Sequence, residues 1–331
     1  MRLKLCLLAV LAAVVVFSIR VSSQEKAAST VEVSQDELSV VLEGCRNAAA
    51  SIHSGKGQVK ILSYQGNEDG IWWEGSTTYT VAFSGSRFKE TSETTVLKNV
   101  PQVPPPSGAG IEAPGAVNTE QVAYDGEKAT TVSSTEHRAL IYAPRVVGSW
   151  VGVGTFWRVK PNSFTLVDIT NFGAPPPDTV REAPRLVDRE TIGGDDCIIV
   201  ELYDHSPMPD VGAPGHERWT WFWVDPQKGF AVPRIRIWGR GSAYPERTLL
   251  SETTSGLRQY AGGLWGPDKK THCEYRLGPT SGKNYKESEE VVTYSPDFQF
   301  NVPVEESDLQ LTIPSGTVVT NELLQETYTV P

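Results

Sequence analysis

The chain has 331 residues, with 40 acidic side chains against 30 basic ones, for a net charge of −10. No block of lysines and no arginine stripe is present, so the composition argues against nucleic acid and against charge-driven binding to anionic lipid surfaces. Four cysteines are too few for a disulfide scaffold, and the length suits one large β domain or two smaller ones.

Residues 1–23 are predicted to be a secretory signal peptide. A basic start precedes an apolar stretch from Leu5 to Ile19, and Val21-Ser22-Ser23 then offers a small-residue cleavage site. The apolar stretch is about 15 residues long, whereas a membrane-spanning helix needs roughly 20, so cleavage before Gln24 is favoured over an uncleaved anchor. We therefore expect an exported protein of the periplasm or cell envelope that is not an integral membrane protein after cleavage.

Residues 24–36 are predicted to be a flexible mature N-terminus that leads into a helix. Ser34 fits the N-cap position, and Glu37 follows at the capping-box spacing. Apolar residues then recur at the helical period, so the helix is expected to run to about Ile52. The recurring residues are Leu38, Val41, Leu42 and Cys45.

After Ile52 the sequence predicts one strand after another. Runs rich in β-forming residues are separated by turn signals such as Asp125-Gly126 and Gly193-Gly194. Proline-rich loops are expected near residues 99–118 and 173–179. The predicted strands are Gly57–Gln65, Ile71–Phe83, Arg87–Val96, Gln121–Asp125, Lys128–Ser133, Ala139–Tyr142, Phe164–Ile169, Leu186–Thr191, Cys197–Tyr203, Arg218–Val224, Phe230–Trp238, Leu249–Tyr260, Thr271–Leu277 and Phe298–Val302. This meander predicts a mainly β protein with a strongly curved antiparallel sheet, whose concave face the N-terminal helix is available to cover.

Three tryptophans at alternate positions, Trp219, Trp221 and Trp223, mark one strand of this sheet. Alternation places the indoles on one face, and an Asp-Pro-x-x-Gly turn follows at Asp225 to Gly229. The indoles either fill the core between sheet and helix, which is the commoner role, or line an apolar cavity there. Trp72 and Trp238 are further candidates for such a ligand-binding wall.

The sequence contains no comparably sharp catalytic signal. It has no Gly-x-Ser-x-Gly elbow, and its five histidines show no recognised metal-ligand spacing. The paired carboxylates Asp195-Asp196, Glu289-Glu290 and Glu305-Glu306 fall in predicted turns or polar stretches, which is typical of solvated residues rather than of a shared acid/base pocket. We therefore expect a protein that is not an enzyme and that needs neither cofactor nor metal.

The order of elements resembles a known family. After the export signal and the helix come four short motifs, Gly57-Gln58-Val59, Phe83–Lys89, Tyr124–Lys128 and Trp221–Pro226. In this order the chain resembles the LolA-like group, which comprises the periplasmic lipoprotein carrier LolA and related exported bacterial proteins. The resemblance implies an unclosed β-barrel whose apolar concave face is covered by helix and holds acyl chains of a lipid or lipoprotein.

Residues 37–295 are expected to form this half-barrel domain, and residues 296–331 a C-terminal β extension. The leading hypothesis is an exported binding protein that carries or senses lipid or lipoprotein acyl chains in an apolar cleft. A cell-envelope structural or protein-interaction module with a fully packed half-barrel is the alternative, with envelope proteins as partners. A carboxylate-based hydrolase is the third reading.

Overall fold

The computed structural model describes residues 35–99, 114–143, 146–147, 150–151, 180–206, 216–241, 244–278 and 281–331. The predicted signal peptide, the N-cap at Ser34, the strand Phe164–Ile169 and the loop at 173–179 lie outside these residues, as does most of the loop at 99–118. Within the described ranges, no helix is long and apolar enough to span a membrane.

Helix α1 spans Gln35–Ala50, as the periodicity predicts, and ends two residues before the expected Ile52; a short helix α2 spans Glu306–Leu309. The strands are β1 (Ser54–Asn67), β2 (Gly70–Ser84), β3 (Arg87–Asn99), β4 (Val117–Tyr124), β5 (Ala129–Ser133), β6 (Arg138–Tyr142), β7 (Val146–Val147), β8 (Trp150–Val151), β9 (Val180–Arg181), β10 (Arg185–Ile192), β11 (Asp195–Ser206), β12 (His216–Asp225), β13 (Ala231–Gly241), β14 (Tyr244–Gln259), β15 (Trp265–Leu277), β16 (Asn284–Tyr294), β17 (Gln299–Phe300), β18 (Val318–Asn321) and β19 (Glu326–Thr329).

Seventeen of the described strands form one open sheet, in which β1 is central. On one side of β1 lie β2 to β6 in sequence order, followed by β18 and β19. On the other side lie β16, β15, β14, β13, β12, β11 and β10. All of these neighbours are antiparallel except β6 and β18, which are parallel. The predicted curved, unclosed antiparallel sheet is confirmed, with one parallel pair contributed by the C-terminal segment.

Strand β16 is missing from the predicted strands because most of its side chains are charged or polar. Glu289 and Glu290, expected in a turn or polar stretch, lie within this strand and pair with Cys273 and His272 of β15. The two carboxylates therefore lie in a polar stretch, as expected, but this stretch is a strand and not a turn. A central strand receives hydrogen bonds from both neighbours, and its position in the sheet overrides a weak local propensity.

We call the face of the sheet that α1 covers the inner face. Val41 and Cys45 of α1 are buried against it, packed on Val200 and Phe222. Because directly paired residues on neighbouring strands share a face, the register extends this face across the sheet. The paired series is Val200, Phe222, Ile235, Thr253, His272 and Glu290. The inner face thus continues from the strands beneath α1 to the central strands.

A second apolar cluster fills the inner face around β1. It includes Val59, Tyr79, Tyr294, Phe298 and Phe300, all buried. The residues that follow β16 therefore contribute to the core rather than only to an appended segment. The domain boundary predicted at residue 296 stays a prediction.

The C-terminal segment also holds the end of α1 in place. The Asn301 side-chain amide donates to the carbonyl oxygen of Ser51 at 2.7 Å, and the His53 N–H donates to Asn301 Oδ1 at 3.1 Å. Asn301 has φ of 55°, a left-handed conformation that Asn adopts more readily than most residues. The chain that leaves α1 is thereby tied to the residue that follows β17, the short strand paired with the start of β1.

The three cysteines among the described residues, Cys45, Cys197 and Cys273, are free and buried. Burial raises the pKa of Cys45 to about 12 and that of Cys197 to about 11. These thiols therefore act as small apolar core residues and are poor nucleophiles at neutral pH.

Candidate ligand-binding site

The tryptophans of β12 share one face, but this face points away from α1. Phe222 and Val224 belong to the cluster beneath the helix, whereas Trp221 and Trp223 pack in a separate cluster with Ile199. The expectation that the indoles form the wall beneath the helix is wrong, because the hairpin register gives that wall to the intervening residues. A ligand-binding role for the tryptophans stays a prediction.

Carboxylates of β11 and β10 accept hydrogen bonds from two of the indole N–H groups of β12. Trp221 Nε1 donates to Glu201 Oε2 at 2.5 Å, and Trp223 Nε1 donates to Glu190 Oε2 at 2.7 Å. The rings of Trp221 and Trp238 meet edge to face, with centroids 4.8 Å apart. A buried indole requires such a partner. Trp219, Trp221, Trp223 and Trp238, which we call the outer cluster, therefore have polar groups at their margins.

Guanidinium groups lie over the same rings. The Arg247 guanidinium carbon is 4.8 Å from the ring centroid of Trp219, 5.1 Å from that of Trp221 and 4.9 Å from that of Trp238. Two further arginines, on β13, lie over Trp223. These cation–π contacts close the outer cluster with the protein's own side chains.

Trp72 lies apart from the other four candidates. It belongs to β2, and β1, β16, β15, β14 and β13 stand between β2 and β12 in the sheet. The structure therefore brings together Trp219, Trp221, Trp223 and Trp238 and leaves Trp72 outside their cluster.

A cavity of about 340 Å³ lies between α1 and the inner face of β13, β14 and β15. This volume falls in the range of small-molecule pockets, roughly 300 to 1,000 Å³. Small side chains of α1, at Gly44 and Ala48, form part of the helix side. The apolar residues of the opposite wall include Phe230, Val232, Ile235, Leu257, Leu264 and Trp265. No motif in the sequence indicates a cavity at these positions. Gly44 and Ala48 are four residues apart, so their small side chains lie on the same face of α1.

The turn before β13 folds as its residues predict and places an aromatic ring in the cavity wall. Asp225 Oδ1 accepts from the backbone N–H groups of Gln227 and Lys228, at 2.9 and 3.2 Å. Gly229 and Phe230 then both take left-handed conformations, with φ of 62° and 61°. A left-handed conformation costs a non-glycine residue on the order of 1 to 3 kcal/mol, so the surrounding packing must hold Phe230 in place.

Gly44 provides the space for that ring. A Cβ atom at Gly44 would lie 2.5 Å from carbon atoms of the Phe230 ring, far inside van der Waals contact. Any larger residue at position 44 would therefore displace the ring or lift α1 from the sheet. The dimensions of the cavity depend on this close approach.

Lys270 is the single ionisable residue among the described residues that line the cavity. It is only 7% exposed and lies on β15, opposite Ser255 of β14 and Val292 of β16. Burial lowers the pKa of Lys270 from 10.5 to about 8, and the carboxylate of Glu290 acts in the opposite direction. The cavity thus combines an apolar wall with one buried amine.

Together these features define a class of protein, an unclosed antiparallel half-barrel with a small amphipathic cavity between its helix and its inner face. No family model and no curated protein matches the chain.

Two solved structures are similar to this chain. A LolA superfamily protein from Nitrosomonas europaea is 14% identical with a TM-score of 0.36, and the match covers 82% of this chain and 97% of that one. The lipoprotein LppX from Mycobacterium tuberculosis is 10% identical with a TM-score of 0.27, over 82% of this chain and 99% of that one. The resemblance to the LolA-like group drawn from the sequence agrees with the first of these matches. At these identities and TM-scores neither match carries an argument about this chain's ligand, which has to be inferred from the cavity.

Proposed function

We propose that this protein is an exported, non-enzymatic binding protein that holds an acyl chain of a lipid or lipoprotein in the cavity beneath α1. The observation that carries the proposal is the cavity of about 340 Å³, walled by apolar residues of β13 to β15. Apolar walls gain contacts and lose water exposure when a nonpolar chain of matching shape fills the space between them. A volume near the lower end of the usual range favours one chain over a ligand with several.

The cavity also weighs against the fully packed half-barrel of an envelope interaction module. Such a module needs solid packing between helix and sheet, whereas here a cavity of about 340 Å³ lies between them, with Ala48 and Ile235 in its lining. Envelope proteins bound to the outer face would not account for the cavity.

The paired carboxylates support a binding role rather than hydrolysis. Asp195 pairs with Lys228 at 2.6 Å, and Glu289 and Glu306 are each held by a basic residue of the chain. Among the described residues that line the cavity there is no carboxylate. A hydrolase of the predicted kind needs two carboxyl groups that converge on one pocket.

Export to the periplasm or cell envelope belongs to the proposal and rests on residues 1–23. Fractionation of the native host, with detection of the protein in the envelope fractions and N-terminal sequencing of the mature form, tests it. A protein found only in the cytoplasm would contradict it.

The binding proposal is tested by extracting the protein, purified from its native host, with organic solvent and analysing the extract by mass spectrometry. We expect a co-purifying acyl lipid and displacement of a bound fluorescent fatty acid by unlabelled lipid. Ala48→Phe should fill the cavity and weaken displacement binding by tenfold or more, at roughly 1.4 kcal/mol per factor of ten. The matched control is Val40→Phe on the same helix, where the residue is 59% exposed and outside the cavity lining. Absence of both lipid and probe binding in the unmodified protein would refute the proposal.

A further inference from the structure

We infer that the ligand carries an acidic headgroup and that Lys270 anchors it, so that the cavity takes a single-chain acid such as a long-chain carboxylate. This inference rests on the proposed function and adds the chemical class of the ligand. It follows from the position of Lys270, its charge environment and the hydroxyl groups beside it.

Lys270 is buried, and a lysine is costly in such a place. A buried ammonium group is expensive unless a negative or polar partner compensates it. A neutral acyl chain would be served equally well by Leu or Met at position 270. The other described lining residues are uncharged, so the one charged residue of the lining is a cation, inside a protein of net charge −10. A cation in the lining favours an anionic headgroup over a neutral one at this point.

Hydroxyl-bearing residues lie beside Lys270 on the inner face. Ser255 lies directly opposite Lys270 in the β14–β15 register, and both line the cavity. Directly opposed residues have Cβ atoms roughly 4.5 to 5.5 Å apart, so one carboxylate can reach both side chains. Thr253 also lines the cavity on the same face, where its Oγ1 lies 2.8 Å from His272 Nδ1. The amine and the hydroxyls form a polar group of residues next to the apolar wall.

The charge of Glu290 acts on Lys270 from β16. From β15 itself, His272 lies on the same face, and from α1 the lining residues Asn47 and Ser51 are neutral. A lysine ammonium has three N–H donors, so it can serve a ligand carboxylate and a protein carboxylate together. Glu290 favours the protonated form of Lys270, which is the form that binds an anion.

The test compares three amphiphiles with the same chain and different heads: laurate, dodecanol and dodecyltrimethylammonium. Binding of each to the purified, delipidated protein is measured by calorimetry. We expect laurate to bind roughly 10- to 100-fold more tightly than dodecanol, as a hydrogen bond to a charged group provides. In Lys270→Met this preference should disappear, because laurate loses the contact with the ammonium group that dodecanol does not need. The matched control is Lys269→Met, because Lys269 is exposed on the opposite face and pairs with Gly256 and Thr293.

A second measurement needs no variant. In the unmodified protein the preference for laurate should fall between pH 7 and about pH 10, because Lys270, with a pKa of about 8, loses its proton over this interval while laurate stays ionised. Dodecyl phosphate in place of laurate shows whether the site prefers a carboxylate or a phosphate head. A preference for dodecyl phosphate over laurate would overturn the carboxylate assignment.

Different results would overturn the acidic headgroup and the binding function. Equal affinities for laurate and dodecanol at pH 7, or a laurate preference that survives in Lys270→Met, would overturn the acidic headgroup and leave the binding function intact. Failure of all the amphiphiles to bind would overturn the binding function itself.

Discussion

Replacing Lys270 with Met should change how the stability of the protein depends on pH. Burial lowers the pKa of Lys270 from 10.5 to about 8 in the folded protein. Between these two pH values the unfolded chain holds a proton at this position that the folded protein has released. The free energy of unfolding therefore increases as pH rises from about 8 to about 10.5. One pKa unit corresponds to about 1.36 kcal/mol, so the full effect is about 3 kcal/mol.

The assay is urea denaturation at pH 7, 8, 9 and 10 for the unmodified protein, Lys270→Met and Lys269→Met. Relative to Lys270→Met, the unmodified protein should gain about 2 to 3 kcal/mol of stability between pH 7 and pH 10. Lys269→Met retains the buried amine and should follow the unmodified protein. Parallel pH profiles for the unmodified protein and Lys270→Met would show that Lys270 is not buried with a lowered pKa, and the reasoning would be refuted.

Three further predictions concern the helix, its C-terminal attachment and the outer tryptophans. Gly44→Ala should destabilise the protein by about 1 to 3 kcal/mol in urea denaturation, because the new Cβ meets the Phe230 ring at 2.5 Å, although Ala is the better helix former. A stabilised Gly44→Ala would contradict the close approach of helix and sheet, and Phe230→Ala should reverse the loss. Asn301→Gly should cost about 1 to 3 kcal/mol through its two lost hydrogen bonds and speed amide exchange at the end of α1, and Asn301→Ala should cost more because of its positive φ. Unchanged exchange in both variants would rule out this attachment. Trp221→Phe leaves Glu201 without its indole donor and should lower stability by about 1 to 3 kcal/mol, yet calorimetry should show unchanged laurate affinity. A tenfold loss of laurate affinity in this variant would instead place the ligand on the outer face.

Local signals in the sequence were enough to predict much of the architecture. The helical period of Leu38 to Cys45 predicted α1, and the Asp-Pro-x-x-Gly pattern predicted the turn at Asp225 to Gly229. Each depends on residues that are neighbours along the chain. Strand β16 was not predicted, because its side chains have a weak preference for a strand. Hydrogen bonds to β15 and β1 on its two sides stabilise it as a strand.

The face of β12 could not be predicted for a different physical reason. Alternation establishes that Trp219, Trp221 and Trp223 share a face, but both faces of this strand are apolar, since Phe222 and Val224 occupy the other. The choice is made by the pairing register and by the carboxylates and arginines that satisfy and cover the indoles. None of these partners is adjacent in sequence.

The cavity could not be predicted from the sequence, because the residues that line it come from segments that are far apart along the chain. Gly44 and Ala48 come from α1, while Ile235 and Lys270 come from β13 and β15. The dipeptide Lys269-Lys270 shows the difficulty most clearly. Alternation predicts that its two side chains point to opposite faces, but only the tertiary structure shows which one is buried.

Photo-crosslinking tests the central claim, that the cavity beneath α1 holds an acyl chain. The purified protein is irradiated with laurate that carries a diazirine near its methyl end, and the labelled peptides are identified by mass spectrometry. We predict labels on cavity residues such as Phe230, Leu257 and Leu264, removed by excess unlabelled laurate and reduced in Ala48→Phe. Labels confined to Trp219 and Trp238 on the outer face, or labels that excess laurate does not remove, would contradict the claim.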